Sequence, residues 1–176
     1  MSVSQALVSA FKSWNLVKTP TLLFHGCRSG DYGVDVAQSR LAGNKWFSAD
    51  AYYAGEYAWH MSAAGAPLRA AVSLNAPLNA VECPAEIRGT KFPEFLAACF
   101  PSQPLGYGLS RHFQDTLAEH LNQAFGGGVV AYVSHREMEV LIPNCESWLA
   151  SCSFTALPAT KAEYVEQSGL LPLLDN

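Results

Sequence analysis

Three short stretches hold the side chains best suited to chemistry. The first is LLFHGCR, Leu22–Arg28, where an apolar run ends on His25 and Gly26. A histidine at a strand end can hydrogen-bond a ligand hydroxyl. The glycine after it lets a ligand lie directly on the backbone, because no Cβ intervenes. Arg28, just beyond, suits a phosphate, since a guanidinium pairs its N–H groups with phosphate oxygens, and Arg69 is a second candidate of that kind. A structural histidine and a surface arginine are the plain alternatives. The second stretch is KWFSADAYYAGEYA, in which Tyr57 lies eleven residues after Trp46 and four after Tyr53. Two rings brought together from a strand and a helix can sandwich a flat heterocycle. Core packing is the alternative, since Tyr53 and Tyr57 share one helix face. The third stretch is REMEVLIP, in which Glu137 and Glu139 alternate with Met138. On a strand both carboxylates point to one side. One could stabilise a developing cation, and the other could orient or deprotonate an attacking group. Alternatively the pair is a solvated strand end.

Other polar residues are weaker candidates. The chain has five cysteines (Cys27, Cys83, Cys99, Cys145, Cys152), an odd number without C-x-x-C spacing. Free thiols are expected, with neither a disulfide framework nor a metal site. Cys27 reads as a small buried filler. His112 and His120 lie near one face of a predicted helix and read as surface or half-buried. No G-x-G-x-x-G follows a strand, and Gly126–Gly128 precede a strand rather than a helix, so neither is a phosphate loop.

The elements that must position these residues follow from periodicity and capping. Ser4–Leu16 reads as an amphipathic helix with Leu7, Phe11 and Trp14 on one face. Strands are expected over Thr21–His25, Lys45–Ser48, Leu68–Leu74 and Leu78–Val81. A short helix is expected over Gly33–Leu41. Asp50 is a good N-cap for the helix that carries Tyr53 and Tyr57, because its carboxylate can accept a free first-turn N–H. Glu94–Phe100 and the segment after Ser110 read as helices. VVAYV, EVLIP and SWLASCSF read as strands. Beyond Leu157 a surface loop and a short helix are expected. Helices concentrate early and strands gather late, which fits an α+β domain with largely antiparallel sheets.

The totals agree with one domain spanning 1–176. Of its residues 49% are hydrophobic and only 15% charged, which argues for a packed core and against disorder. A net charge of −4 argues against a general nucleic-acid or membrane-surface binder. The apolar runs are short and interrupted, so no transmembrane helix is expected. The N-terminal residues lack the pattern of a cleaved secretory signal. The chain is therefore expected in the cytoplasm, or exported without such a signal.

Taken in order, LLFHGCR, WFSAD…AGEYA and EMEVLIP resemble the three motifs of the ADP-ribosyltransferase superfamily. That family covers diphtheria-type toxins, poly(ADP-ribose) polymerases and arginine-modifying mono-ADP-ribosyltransferases. The His-Gly strand and the Trp46–Tyr57 spacing resemble the polymerase branch, whereas E-x-E-V-L-I-P resembles the arginine-specific branch. Ser48 matches one residue of the latter's Ser-Thr-Ser motif, and Ala54 stands where polymerase-type members have serine. The resemblance implies a split antiparallel β-sheet core with flanking helices and NAD+ as co-substrate, with no metal. In that family His25 would contact a ribose hydroxyl and the Gly26 backbone the nicotinamide amide. Tyr57, helped by Trp46 or Tyr53, would stack on the nicotinamide ring. Glu139 would stabilise an oxocarbenium-like transition state and Glu137 would address the nucleophile. His135 and Arg136 lie where members often touch their target. The implied protein is a monomeric mono-ADP-ribosyltransferase acting on a protein acceptor, arginine among the options, as an effector or toxin. An NAD+ glycohydrolase and an inactive NAD+- or ADP-ribose-binding module remain open.

Overall fold

The computed structural model describes residues 4–60, 64–87, 91–101, 111–134 and 139–168. Helix α1 (Gln5–Ser13) starts at Ser4, whose hydroxyl accepts the Leu7 N–H, and buries Leu7, Val8 and Phe11. It is shorter than Ser4–Leu16, because Leu16–Lys18 form strand β1 instead. Strand β2 covers Leu22–Arg28, so the strand does not stop at His25 but runs through Gly26 to Arg28.

The helix expected over Gly33–Leu41 is absent. That segment is a two-strand hairpin of β3 (Val34–Asp35) and β4 (Arg40–Leu41). Gly33 has φ +72°, outside the helical region, and the Asp35 carboxylate accepts the Gln38 N–H, a local turn bond that competes with helix. Burial of Leu41 then favours the hairpin.

Strand β5 (Lys45–Ser48) leads into helix α2 (Ala51–Glu56), which continues as a 3-10 turn over Tyr57–Trp59. Next come β6 (Pro67–Leu74), β7 (Asn79–Glu82), α3 (Lys91–Cys99) and α4 (Arg111–Phe125). The chain continues through β8 (Ala131–Val133), β9 (Glu139–Ile142), β10 (Leu149–Ala156) and α5 (Lys161–Ser168).

Eight strands form one mixed sheet in the order β1-β7-β8-β9-β5-β2-β6-β10. Every pairing is antiparallel except that of β7 with β8. The architecture is α+β. The join between β5 and β2 is thin: they pair only at Phe24↔Ser48 among the described residues, whereas β2 and β6 pair from Leu22↔Ser73 to Arg28↔Pro67.

Each sheet face carries a core. On one, Leu141 and Tyr132 pack with Leu7 and Phe11 of α1, Phe92 and Leu96 of α3, and Phe113, Leu117 and Leu121 of α4. On the other, Leu23, Phe47, Val72, Val140 and Ile142 pack with Leu41 of the hairpin. Alternation along each strand sends neighbours to opposite cores, as with Leu141 and Ile142. His120 is buried, contrary to the surface reading, and joins two helices. Its Nε2 accepts the Ser4 N–H at 2.9 Å and its Nδ1 donates to the Thr116 carbonyl at 2.6 Å. Burial lowers its pKa and keeps it neutral. Among the described residues no helix is long and apolar enough to cross a membrane.

Candidate functional site

The stretches carrying His25, Trp46 and Glu139 occupy three adjacent strands. Phe24, Ser48 and Glu139 are register partners across β2, β5 and β9, so their side chains share one sheet face. Helix α2 lies over that face. It begins where the Ser48 hydroxyl accepts the Asp50 N–H at 3.0 Å, and the Asp50 carboxylate accepts the N–H groups of Tyr52 and Tyr53 at 2.8 and 2.9 Å. The predicted cap is therefore present. Ser48 is buried and holds the entry to α2 rather than standing open to a ligand.

Gly26 allows a close approach, and the group that approaches is α2. A Cβ on Gly26 would lie 1.9 Å from the Ala54 carbonyl oxygen. The bare backbone on that face is therefore filled by protein, not left for a ligand.

Tyr53 and Tyr57 point from α2 and the turn after it to Glu139. Tyr53 Oη donates to Glu139 Oε1 at 2.9 Å, and Tyr57 Oη makes a shorter bond to the same oxygen. The two hydroxyls are 2.9 Å apart. Each phenol has one proton, so the three contacts share two protons, and either hydroxyl can donate to the other in place of the carboxylate. Burial raises the Tyr57 pKa most, and its bonds to Glu139 and Tyr53 raise it further, so Tyr57 stays a donor. The other oxygen, Oε2, accepts from Ser134 Oγ at 3.2 Å. Ser134 is fully buried just beyond β8 and was not singled out in the sequence. Its only signal there was its place one step before the HREM segment.

The two tyrosine rings meet edge to face, 5.4 Å apart at 69°. They form no parallel sandwich, and Trp46 does not complete one. The Trp46 ring packs edge-on against core Tyr132 at 6.0 Å.

His25 follows Phe24 and so points to the other face, where its ring lies 5.7 Å from that of Phe47. It makes no hydrogen bond with Glu139. Its Nδ1 lies 2.7 Å from the Trp46 carbonyl. A carbonyl only accepts, so Nδ1 carries the proton and Nε2 is a bare acceptor. That Nε2 is buried without a partner. Burial, reinforced by the Lys45 cation and opposed by the Trp46 bond, lowers the His25 pKa to about 4.

Arg28 is spent on local structure: Nε donates to the Ala58 carbonyl and Nη1 to the Gly65 carbonyl, each at 3.0 Å. Arg69 reaches the Ala51 carbonyl at 3.4 Å and lies 5.8 Å over the Phe24 ring. The Cys27 thiol is buried and its pKa is pushed up to about 12, chiefly by burial, as a filler's would be. Glu137, Arg136 and His135 lie outside the described residues. Among the described residues no group of His, Cys, Asp and Glu could hold a metal ion. A separate open groove of about 410 Å³, lined by Lys18, Asn79, Gly128 and Trp148 among others, lies at the far ends of β8 and β9 and contains none of these residues.

Comparisons with protein-family models, curated proteins and solved structures find no match.

The cluster has a clear chemical capacity. One carboxylate, held on both oxygens by hydroxyl donors at a sheet face, is a fixed negative charge. Such a charge stabilises a cation that develops beside it.

Proposed function

We propose that the protein is a mono-ADP-ribosyltransferase, moving ADP-ribose from NAD+ to a protein acceptor with release of nicotinamide. The observation that carries this reading is Glu139. Its carboxylate is fixed by Tyr53, Tyr57 and Ser134 at the start of β9, in register with Ser48 and Phe24 on the strands that bear the other two motifs. The thin β2–β5 join supports reading the sheet as the split core of that superfamily.

In this reading the bond between nicotinamide and C1′ of the ribose breaks first. Its electron pair leaves with nicotinamide, which departs neutral, and positive charge spreads over C1′ and the ring oxygen. Glu139 stabilises that charge. A lone pair on the acceptor then bonds to C1′, and the acceptor's proton is lost to a base. Glu137 is assigned to the acceptor side, and its E-x-E spacing favours arginine. Tyr53 and Tyr57 hold the carboxylate and offer one ring face to the nicotinamide. An effector or toxin role belongs to the same reading.

The test is nicotinamide release from NAD+, with and without cell lysate, by the wild type and Glu139→Ala. Release that needs lysate and falls at least about a hundred-fold in the variant supports the transferase. Release without lysate makes the protein a glycohydrolase. No release with lysates from several sources refutes the enzymatic reading, and an NAD+-binding measurement then separates a binding module from a chance resemblance.

A further inference from the structure

Among the described residues, Ser134 is a donor to the Glu139 carboxylate that belongs to neither α2 nor the turn after it. We propose that Ser134 is a positioning residue for Glu139, setting the carboxylate's rotation in the reaction proposed above, on which this inference rests.

Ser134 and Glu139 are tied twice. The Ser134 N–H donates to the Glu139 carbonyl at 2.8 Å, and Ser134 Oγ donates to Oε2 at 3.2 Å. The backbone bond fixes the separation of the two residues. The side-chain bond can then serve to orient the carboxylate.

A carboxylate on a glutamate turns about a broad, roughly two-fold terminal torsion. Both tyrosines bond Oε1 and Ser134 bonds Oε2, so that torsion is held from both ends of the carboxylate. Donors on opposite oxygens define a plane, and a defined plane aims a lone pair at a fixed point. Ser134 supplies the donor to Oε2 from just beyond β8, whereas the tyrosines come from the α2 segment and the turn after it. It is fully buried, so bulk water cannot simply take the place of its hydroxyl.

The chemistry makes this orientation matter most in the transition state. Positive charge develops only as the nicotinamide bond stretches, and a misaimed carboxylate loses its advantage at that moment. Ground-state binding of NAD+ depends on it less. Loss of the Ser134 hydroxyl therefore lowers kcat more than it raises KM.

The experiment compares wild type, Ser134→Ala and Ser134→Thr for kcat and KM of nicotinamide release, for NAD+ affinity by tryptophan fluorescence, and for Tm. The expected result is about a ten-fold fall in kcat for Ser134→Ala, with KM and NAD+ affinity within about two-fold of wild type. Ser134→Thr restores the hydroxyl and at least half of the lost rate. A folded Ser134→Ala with wild-type kcat overturns the inference and leaves the proposed function standing. So does a loss of NAD+ affinity and Tm in step with kcat that threonine fails to rescue, which marks a packing role. A wild type that cleaves no NAD+ overturns the proposed function and this inference with it.

Discussion

Replacing Gly26 with alanine puts a methyl group where α2 already stands. The new Cβ would lie 1.9 Å from the Ala54 carbonyl oxygen, 3.0 Å from its carbon and 3.1 Å from the Ala58 nitrogen, all backbone atoms. No side chain can swing away, so α2 itself must retreat by at least about 1 Å, and overpacking of this kind costs about 1–3 kcal/mol. The same retreat carries Tyr53 and Tyr57 off Glu139. A 2.9 Å bond stretched by that much lies near 4 Å, outside hydrogen-bond range. With the weakened bonds to a charged acceptor included, the expected loss of stability is about 2–4 kcal/mol. Urea unfolding reads it as a fall in Cm of about 1–2 M, at an m-value of about 2 kcal/mol/M. Gly128→Ala is the control, because its Cβ meets nothing nearer than the Phe125 carbonyl at 3.4 Å, and its Cm should stay within about 0.3 M. A Gly26→Ala protein with the wild-type midpoint would refute the claim that this glycine exists to let helix and strand backbones touch.

Two further predictions address His25 and Arg28. The His25 pKa is lowered from 6.5 to about 4 in the folded chain. Above pH 6.5 the imidazole is neutral folded or unfolded, and its contribution is fully present. As pH falls from 6.5 towards 4 the unfolded chain takes up a proton that the folded chain refuses, so stability drops, by up to about 3 kcal/mol. Urea unfolding from pH 8 to 4 should show this slope, shallower in His25→Gln, and an unchanged slope would remove His25 as its source. His120, also held neutral by burial, adds to the slope in the same direction and survives in that variant. Arg28→Lys cannot reproduce both the Ala58 and Gly65 bonds, so it should lose about 1–3 kcal/mol with the KM for NAD+ unchanged. A raised KM at wild-type stability would instead give Arg28 to the pyrophosphate.

Local chemistry was legible where it is decided locally. Asp50 caps α2 because a short carboxylate just before a helix finds free N–H groups, whatever the rest of the chain does. Lys45–Ser48 is a strand in sequence and structure alike. The pairing of β5 with both β2 and β9 was not legible from pattern, because it joins residues separated by long loops. Gly33–Leu41 failed as a helix because its apolar residues serve a hairpin, and spacing alone does not separate the two. Trp46 and Tyr57 had suitable spacing, yet face Tyr132 and Glu139 respectively. Strand parity settles which way Trp46 points, and the sequence does not reveal what packs on each face. Ser134 was missed because a lone serine beside a strand carries no pattern of its own, and the burial of His120 was missed because its partner is distant in sequence. His120 meets Ser4 across 116 positions.

The site is aimed from outside itself. Among the contacts that seat α2, three groups do not involve the Glu139 carboxylate. Ser48 and Asp50 anchor its start, Gly26 meets the Ala54 carbonyl on the sheet side, and Tyr164 of α5 closes the back. The Tyr164 ring stacks on Tyr52 at 5.2 Å and 6°, and its hydroxyl reaches the Tyr52 carbonyl at 3.3 Å. Tyr53 and Tyr57 leave this braced segment on the face opposite Tyr164, so their hydroxyls arrive at Oε1 because the backbone is held, not because the carboxylate gathers them. Preorganisation of this kind is what charge stabilisation requires, since donors that must move to meet the charge spend their advantage in moving. A change at α5, remote from Glu139, therefore reaches the carboxylate through α2, whereas a change at Ser134 reaches it directly.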